Sequence, residues 1–226
     1  MARVVQTEKV KKKKKKQNFI FILFLIAIVI AGAVFAYFKF FKKKEVERER
    51  TEIVIIDSMT DYGYSLKEND TDYYKTEYEN LKNILNADEI NYQDYATQVA
   101  KMFVIDLYTL STKMNKYDVG GASFFHEGQK NMFEQKVMDT LYSTLKDNTY
   151  GDRKQSLPEV TNVSVEDVSD IQYEVNEKQD CLLVKLKWDY RTNMGYDDEG
   201  SFVVCDENSV RWSVVDYQPT LKPTYK

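Results

Sequence analysis

The first strong pattern along the chain is an uncharged run from Phe19 to Phe38, FIFILFLIAIVIAGAVFAYF. As a helix rising about 1.5 Å per residue, twenty such residues span roughly 30 Å, the thickness of a bilayer's hydrocarbon core. Phe19, Phe21, Tyr37 and Phe38 put aromatic rings near both ends, and Lys39 can extend its ammonium to the interface. A transmembrane helix is therefore expected over 19–41, with Phe19, Phe38 and Lys39 as its anchoring residues. A basic tail (1–18) precedes it and a charged juxtamembrane linker (42–60) follows.

Beyond the linker, Ile53 to Ile56 is a short β-branched run, and Tyr62 to Leu66 follows a turn; together they read as a short strand and an extended lead-in. From Asp70 the period becomes helical, with Tyr74, Tyr78, Leu81 and Leu85 on one stripe and Lys75, Glu77, Glu79 and Lys82 off it. A second helix starts at the cap Asn91 and runs to about Met114, apolar almost all round from Met102 to Tyr108. Gly120-Gly121 punctuates the chain, and a third helix is expected from about Phe125 to Lys146 on the four-residue steps Phe133, Val137, Leu141 and Leu145.

After Pro158 the period falls to two: Val163 and Val165; Ile171, Tyr173 and Val175; Leu182, Val184, Leu186, Trp188 and Tyr190; Val210, Trp212 and Val214. Asp206 to Ser209 reads as a turn closing the last two strands into a hairpin. Helices followed by an antiparallel meander predict an α+β domain over 61–218, about three helices packed on a curved sheet of four or more strands, with 219–226 as a C-terminal tail.

Charge divides the chain. Residues 1–44 carry twelve Lys/Arg against one acid, whereas the remaining residues carry 20 basic and 35 acidic groups. Eight of the basic residues precede the apolar run, which favours a cytoplasmic N-terminus and an extracytoplasmic body at the cell membrane. The alternative is a cleaved signal peptide at Ala31-Gly32-Ala33, but cleavage there would fall inside the apolar run. A body so acidic is a poor match for phosphate backbones, so nucleic acid is not an expected partner. The expected partners are the lipid bilayer and other proteins, or further copies of the chain.

An N-terminal span followed by helices and then antiparallel strands resembles membrane-anchored Gram-positive proteins with an NTF2-like, VirB8-like or TcpC-like domain. The stretches carrying the resemblance are DYGYSL (Asp61 to Leu66), FVIDLYTL (Phe103 to Leu110), DVGG (Asp118 to Gly121) and YGDRKQSLP (Tyr150 to Pro158). The resemblance implies a cone-shaped NTF2-like fold and a docking or assembly role at the membrane, although the fold by itself also hosts enzymes and small-ligand binders.

Candidate chemistry is sparse. Asp106 stands within an apolar helical stretch, where an ionised carboxylate needs a partner. With the neighbouring Tyr108 and the single histidine, His126, it forms the low-specificity candidate ligand-binding set; an Asp106–His126 pair would be a minimal acid/base device for a hydrolase or isomerase. No nucleophile elbow or phosphate-binding glycine loop is present, and Asp197-Asp198-Glu199 lacks EF-hand spacing and reads as a solvated turn. No metal, cofactor or catalytic residue is expected. Counting outward from a loop centred at Gly195 places Cys181 and Cys205 diagonally, so free thiols are expected. The leading functional expectation is a non-catalytic membrane-anchored scaffold; the alternative is a small-ligand sensor with a cavity around Asp106.

Overall fold

The computed structural model describes residues 25–36, 50–175 and 177–219. They fall in two compact units, 1–48 and 49–226. In the first, residues 25–36 are helical, with Val29, Ile30 and Phe35 exposed. The ends of the expected span, including Phe19, Phe38 and Lys39, lie outside the described residues. Among the described residues no helix is long and apolar enough to cross a membrane.

The second unit opens with an antiparallel hairpin of β1 (Ile55–Met59) and β2 (Tyr64–Lys67), turned at Gly63, whose φ is +72°. Three helices follow: α1 (Asp72–Leu85), α2 (Tyr92–Tyr108) and α3 (Lys130–Asp139). The chain ends in a four-stranded meander, β3 (Val160–Glu174), β4 (Lys178–Tyr190), β5 (Glu199–Asp206) and β6 (Trp212–Pro219), with neighbours antiparallel throughout. The architecture is α+β.

Tyr74, Tyr78, Leu81 and Leu85 form the buried face of α1, and the Thr71 hydroxyl accepts from Tyr74 N to cap its start. Glu77, expected off the stripe, is buried too: it accepts from Gln98 Nε2 at 2.8 Å and pairs with Lys101 at 2.7 Å, clamping α1 to α2. Asn91 Oδ1 accepts from Gln93 N and Asp94 N at the start of α2. From Val99 to Leu107, α2 buries Val99, Met102, Phe103, Val104, Ile105 and Leu107 completely. At about 1.5–3 kcal/mol for each large apolar side chain removed from water, α2 is the centre of the core. It packs against α1 and against all four strands of the meander.

Three expected boundaries are corrected. α2 stops at Tyr108 rather than Met114, because Leu110 N and Ser111 N turn aside to donate to Pro158 O. α3 covers only Lys130–Asp139, preceded by two short 3₁₀ turns, and ends where the Thr140 hydroxyl donates back to Lys136 O. Val210 belongs to the turn before β6, in which Asp206 Oδ1 accepts from Ser209 N and Asn208 Oδ1 accepts from Arg211 N.

The cysteines are also corrected. Pairing of Lys187 with Glu199 centres the β4–β5 hairpin on Asn193 rather than Gly195, which sets Cys181 directly against Cys205. Their Cα atoms are 4.4 Å apart and they form a disulfide on the sheet face turned away from α2, beside Val203 and Val215.

Candidate functional site

The end of α2 at Tyr108 lets the chain double back, and the reversal supplies Asp106 with its partner. Lys113 Nζ bonds Asp106 Oδ1, while Gly121 N donates to Asp106 Oδ2 at 2.6 Å. Lys113 is 2 % exposed. Burial alone would pull its ammonium pKa down, but the charges of Asp106 and Asp118 overcome that and hold it above the usual lysine value. Asp118 completes the cluster, accepting from Met114 N at 2.9 Å and pairing with Lys67 Nζ at 3.2 Å. Burial would raise its carboxyl pKa, yet Lys113 and Lys67 bring it below the ordinary 3.8. Asp70, accepting from Lys67 N at 2.7 Å, is shifted the other way by burial.

Both glycines of DVGG are required by this closeness. A Cβ on Gly120 would stand 2.0 Å from Asp106 O, and Gly121 has a φ of +78° with Phe103 against it. The Tyr142 hydroxyl donates to Leu107 O at 2.8 Å and accepts from Gly120 N at 3.2 Å, joining the helix end to the glycine turn. Arg153 donates to Lys113 O at 2.8 Å, Ser111 O at 2.9 Å and Lys146 O at 3.1 Å. The stretches FVIDLYTL, DVGG and YGDRKQSLP thus meet at one place, and DYGYSL reaches it through the next residue, Lys67. Their common content is a packed ionic junction.

Chemically the junction is closed. Asp106 has both oxygens engaged, so service as a general base would require it to abandon Lys113 or Gly121 N first. His126 is engaged elsewhere: Nδ1 accepts from Gly128 N at 3.1 Å, and Nε2 lies 4.0 Å from Glu207 Oε1. Asp106 and His126 therefore serve separate partners. Tyr108 is buried with its ring 5.0 Å from that of Trp188, and its hydroxyl donates to Asp197 Oδ2 at 3.4 Å. Burial, and then the charge of Asp197, push that phenol well above its usual pKa.

The Asp197-Asp198-Glu199 loop is half-buried rather than solvated: Asp197 O accepts from the Tyr190 hydroxyl and Asp198 O from Trp188 N. Between α2, α3 and the sheet, Phe103, Phe125, Phe133, Phe202 and Tyr217 pack ring against ring at centroid spacings from 4.3 to 6.3 Å. Beside them, α3 and β6 flank an open groove of about 200 Å³, lined by Met132, Lys136, Val215 and Tyr217 among others. Among the described residues no three His, Cys, Asp or Glu converge as a metal site.

Sequence reasoning picked out Asp106 but missed Lys113, Asp118, Tyr142 and Arg153, which hold it in place. The available signal was the need of any buried carboxylate for a cation close by. Compared with known families, curated proteins and solved structures, the chain matches none.

Proposed function

We propose that the chain is a single-pass membrane protein whose second unit is a non-catalytic, extracytoplasmic interaction domain of NTF2-like, VirB8-like character. The observation that carries this reading is the uncharged run Phe19 to Phe38 with eight Lys/Arg ahead of it, since such a segment is stable only in a bilayer and its basic flank stays in the cytoplasm. The Cys181–Cys205 disulfide supports placing the second unit in an oxidising compartment. The engaged oxygens of Asp106 and the ring packing beside α2 favour docking over catalysis. Neither the groove beside α3, at about 200 Å³, nor the cleft of about 350 Å³ between Asp70, Tyr73, Glu159 and Arg191 is lined by Asp106, which favours docking over a ligand sensor built around that carboxylate.

The test uses the full chain with a C-terminal tag in intact cells. Retention in the membrane pellet at alkaline pH, digestion of the tag by external protease, and recovery of crosslinked assemblies are the expected results. A soluble chain, a tag digested only after lysis, or recovery of monomer alone across several crosslinkers would overturn the reading.

A further inference from the structure

The edge of a β-sheet is a row of unpaired backbone N–H and C=O groups that recruits another strand unless it is blocked. The main sheet covers part of each of its edges. Along β6, Trp212 O accepts from the Tyr64 hydroxyl at 3.2 Å, Trp212 N donates to the Tyr95 hydroxyl at 3.4 Å, and Val214 O accepts from His126 N at 2.9 Å. Along β3, Val163 N donates to the Tyr73 hydroxyl at 2.8 Å, and beyond it come a register irregularity and the charges of Glu166, Asp167 and Asp170.

β1 is built differently. Among the described residues it has β2 on one side and no strand on the other, and Ile56 has no opposite number on β2. Ile53, Val54, Ile55 and Ile56 are 46 %, 44 %, 60 % and 52 % exposed. Successive residues of an extended chain face opposite ways, so four exposed in a row leave both faces uncovered as well as the edge.

We infer that this segment joins two copies of the chain, residues 53–56 of one pairing antiparallel with residues 53–56 of the other about a two-fold axis. The inference rests on the membrane-anchored reading and names its partner. Three arguments select a second copy. Hydrocarbon cannot satisfy the N–H and C=O groups of a strand edge, so the occupant has to bring a backbone of its own. The run is self-complementary, because pairing centred on Val54 sets that residue opposite its own copy and Ile53 opposite Ile55, and Val54, whose carbonyl already accepts from Glu68 N on the β2 side, then forms the close, non-hydrogen-bonded pair. Finally, the 14 residues between Phe38 and Ile53 reach no farther than about 50 Å, so copies anchored in one bilayer hold this segment in a common thin layer and meet at raised effective concentration.

The experiment places single cysteines in the full-length chain, Val54→Cys and Ile55→Cys, with Met132→Cys as a control that is 70 % exposed on α3. Membranes are oxidised and run on non-reducing gels. Disulfide-linked dimers at Val54→Cys but at neither Ile55→Cys nor Met132→Cys are expected, as is loss of the dimer when Ile53→Lys is added and the far-ultraviolet circular dichroism is unchanged. Monomer at Val54→Cys, equal dimer at Ile55→Cys or Met132→Cys, or a crosslink only to a different protein would overturn the pairing. So would quenching of a fluorophore on Val54→Cys by spin-labelled lipid without dimer formation. Carbonate extraction of the same membranes reports the anchor separately: chain in the pellet without dimer sinks the pairing alone, and released chain with dimer sinks the anchor alone.

Discussion

Cys181 and Cys205 face each other across β4 and β5 and are covalently joined, both within the small apolar cluster of Val203 and Val215. The bridge closes a loop with a sequence separation of 24, and loops of that size restrict the unfolded chain by about 3 kcal/mol. Replacing both cysteines by alanine is expected to lower stability by that order, read as a shift of the urea midpoint. An unchanged midpoint would mean that the bridge restrains nothing.

Asp106→Asn leaves the buried Lys113 ammonium without its counter-charge, and such a loss costs about 3–5 kcal/mol. Lys113→Met in the same chain should recover part of it, because both charges are then gone. Denaturant titration of the two single variants and the double variant gives the coupling directly. Strictly additive losses would show that the two side chains act independently.

Gly120→Ala forces a methyl onto Asp106 O and is expected to cost about 3 kcal/mol, with backbone displaced at the end of α2. Gly195→Ala meets nothing within 4 Å and bears only the strain of its φ of +78°, about 1 kcal/mol. Thermal melts of the pair should separate by several degrees in that order.

The ionic junction also sets a pH response. Asp118 is held below its ordinary value in the folded chain, so its contribution is complete above 3.8 and is lost as the pH falls through the folded value. Lys113 is held above its ordinary value, so its contribution is complete below 10.5 and is lost as the pH rises through the folded value. Asp70, raised by burial, opposes Asp118. Below about pH 3.8 the urea midpoint should fall, and fall less in Asp118→Asn. Equal slopes in the two proteins would exclude Asp118 as the source.

Much of this fold can be read from side-chain period: the buried stripe of α1, the Asn91 cap and the inward residues of β4 all lie where spacing puts them. Local competition was harder to see. A helix continued to Met114 would hold Asp106 and Lys113 two turns apart, about 10 Å, and only the break after Tyr108 brings them together. The four-residue steps through Leu141 similarly hid Tyr142, which the turn at Thr140 swings fully into the core. Gly195 drew the hairpin count because glycine marks turns, yet it sits two positions past the true centre. The anchoring residues Phe19, Phe38 and Lys39 rest on hydropathy and charge alone.

Arg153 takes carbonyls from Ser111, Lys113 and Lys146, the first two some forty residues upstream. A chain made from its N-terminus therefore carries a half-built junction until Arg153 has been synthesised: α1 and α2 can form early, but Lys113 has no roof and Asp106 no settled mate. Nascent chains stalled before residue 153 should show α2 protected from hydrogen exchange and the 109–121 segment still open, which makes closure of that segment a late event in the birth of the domain.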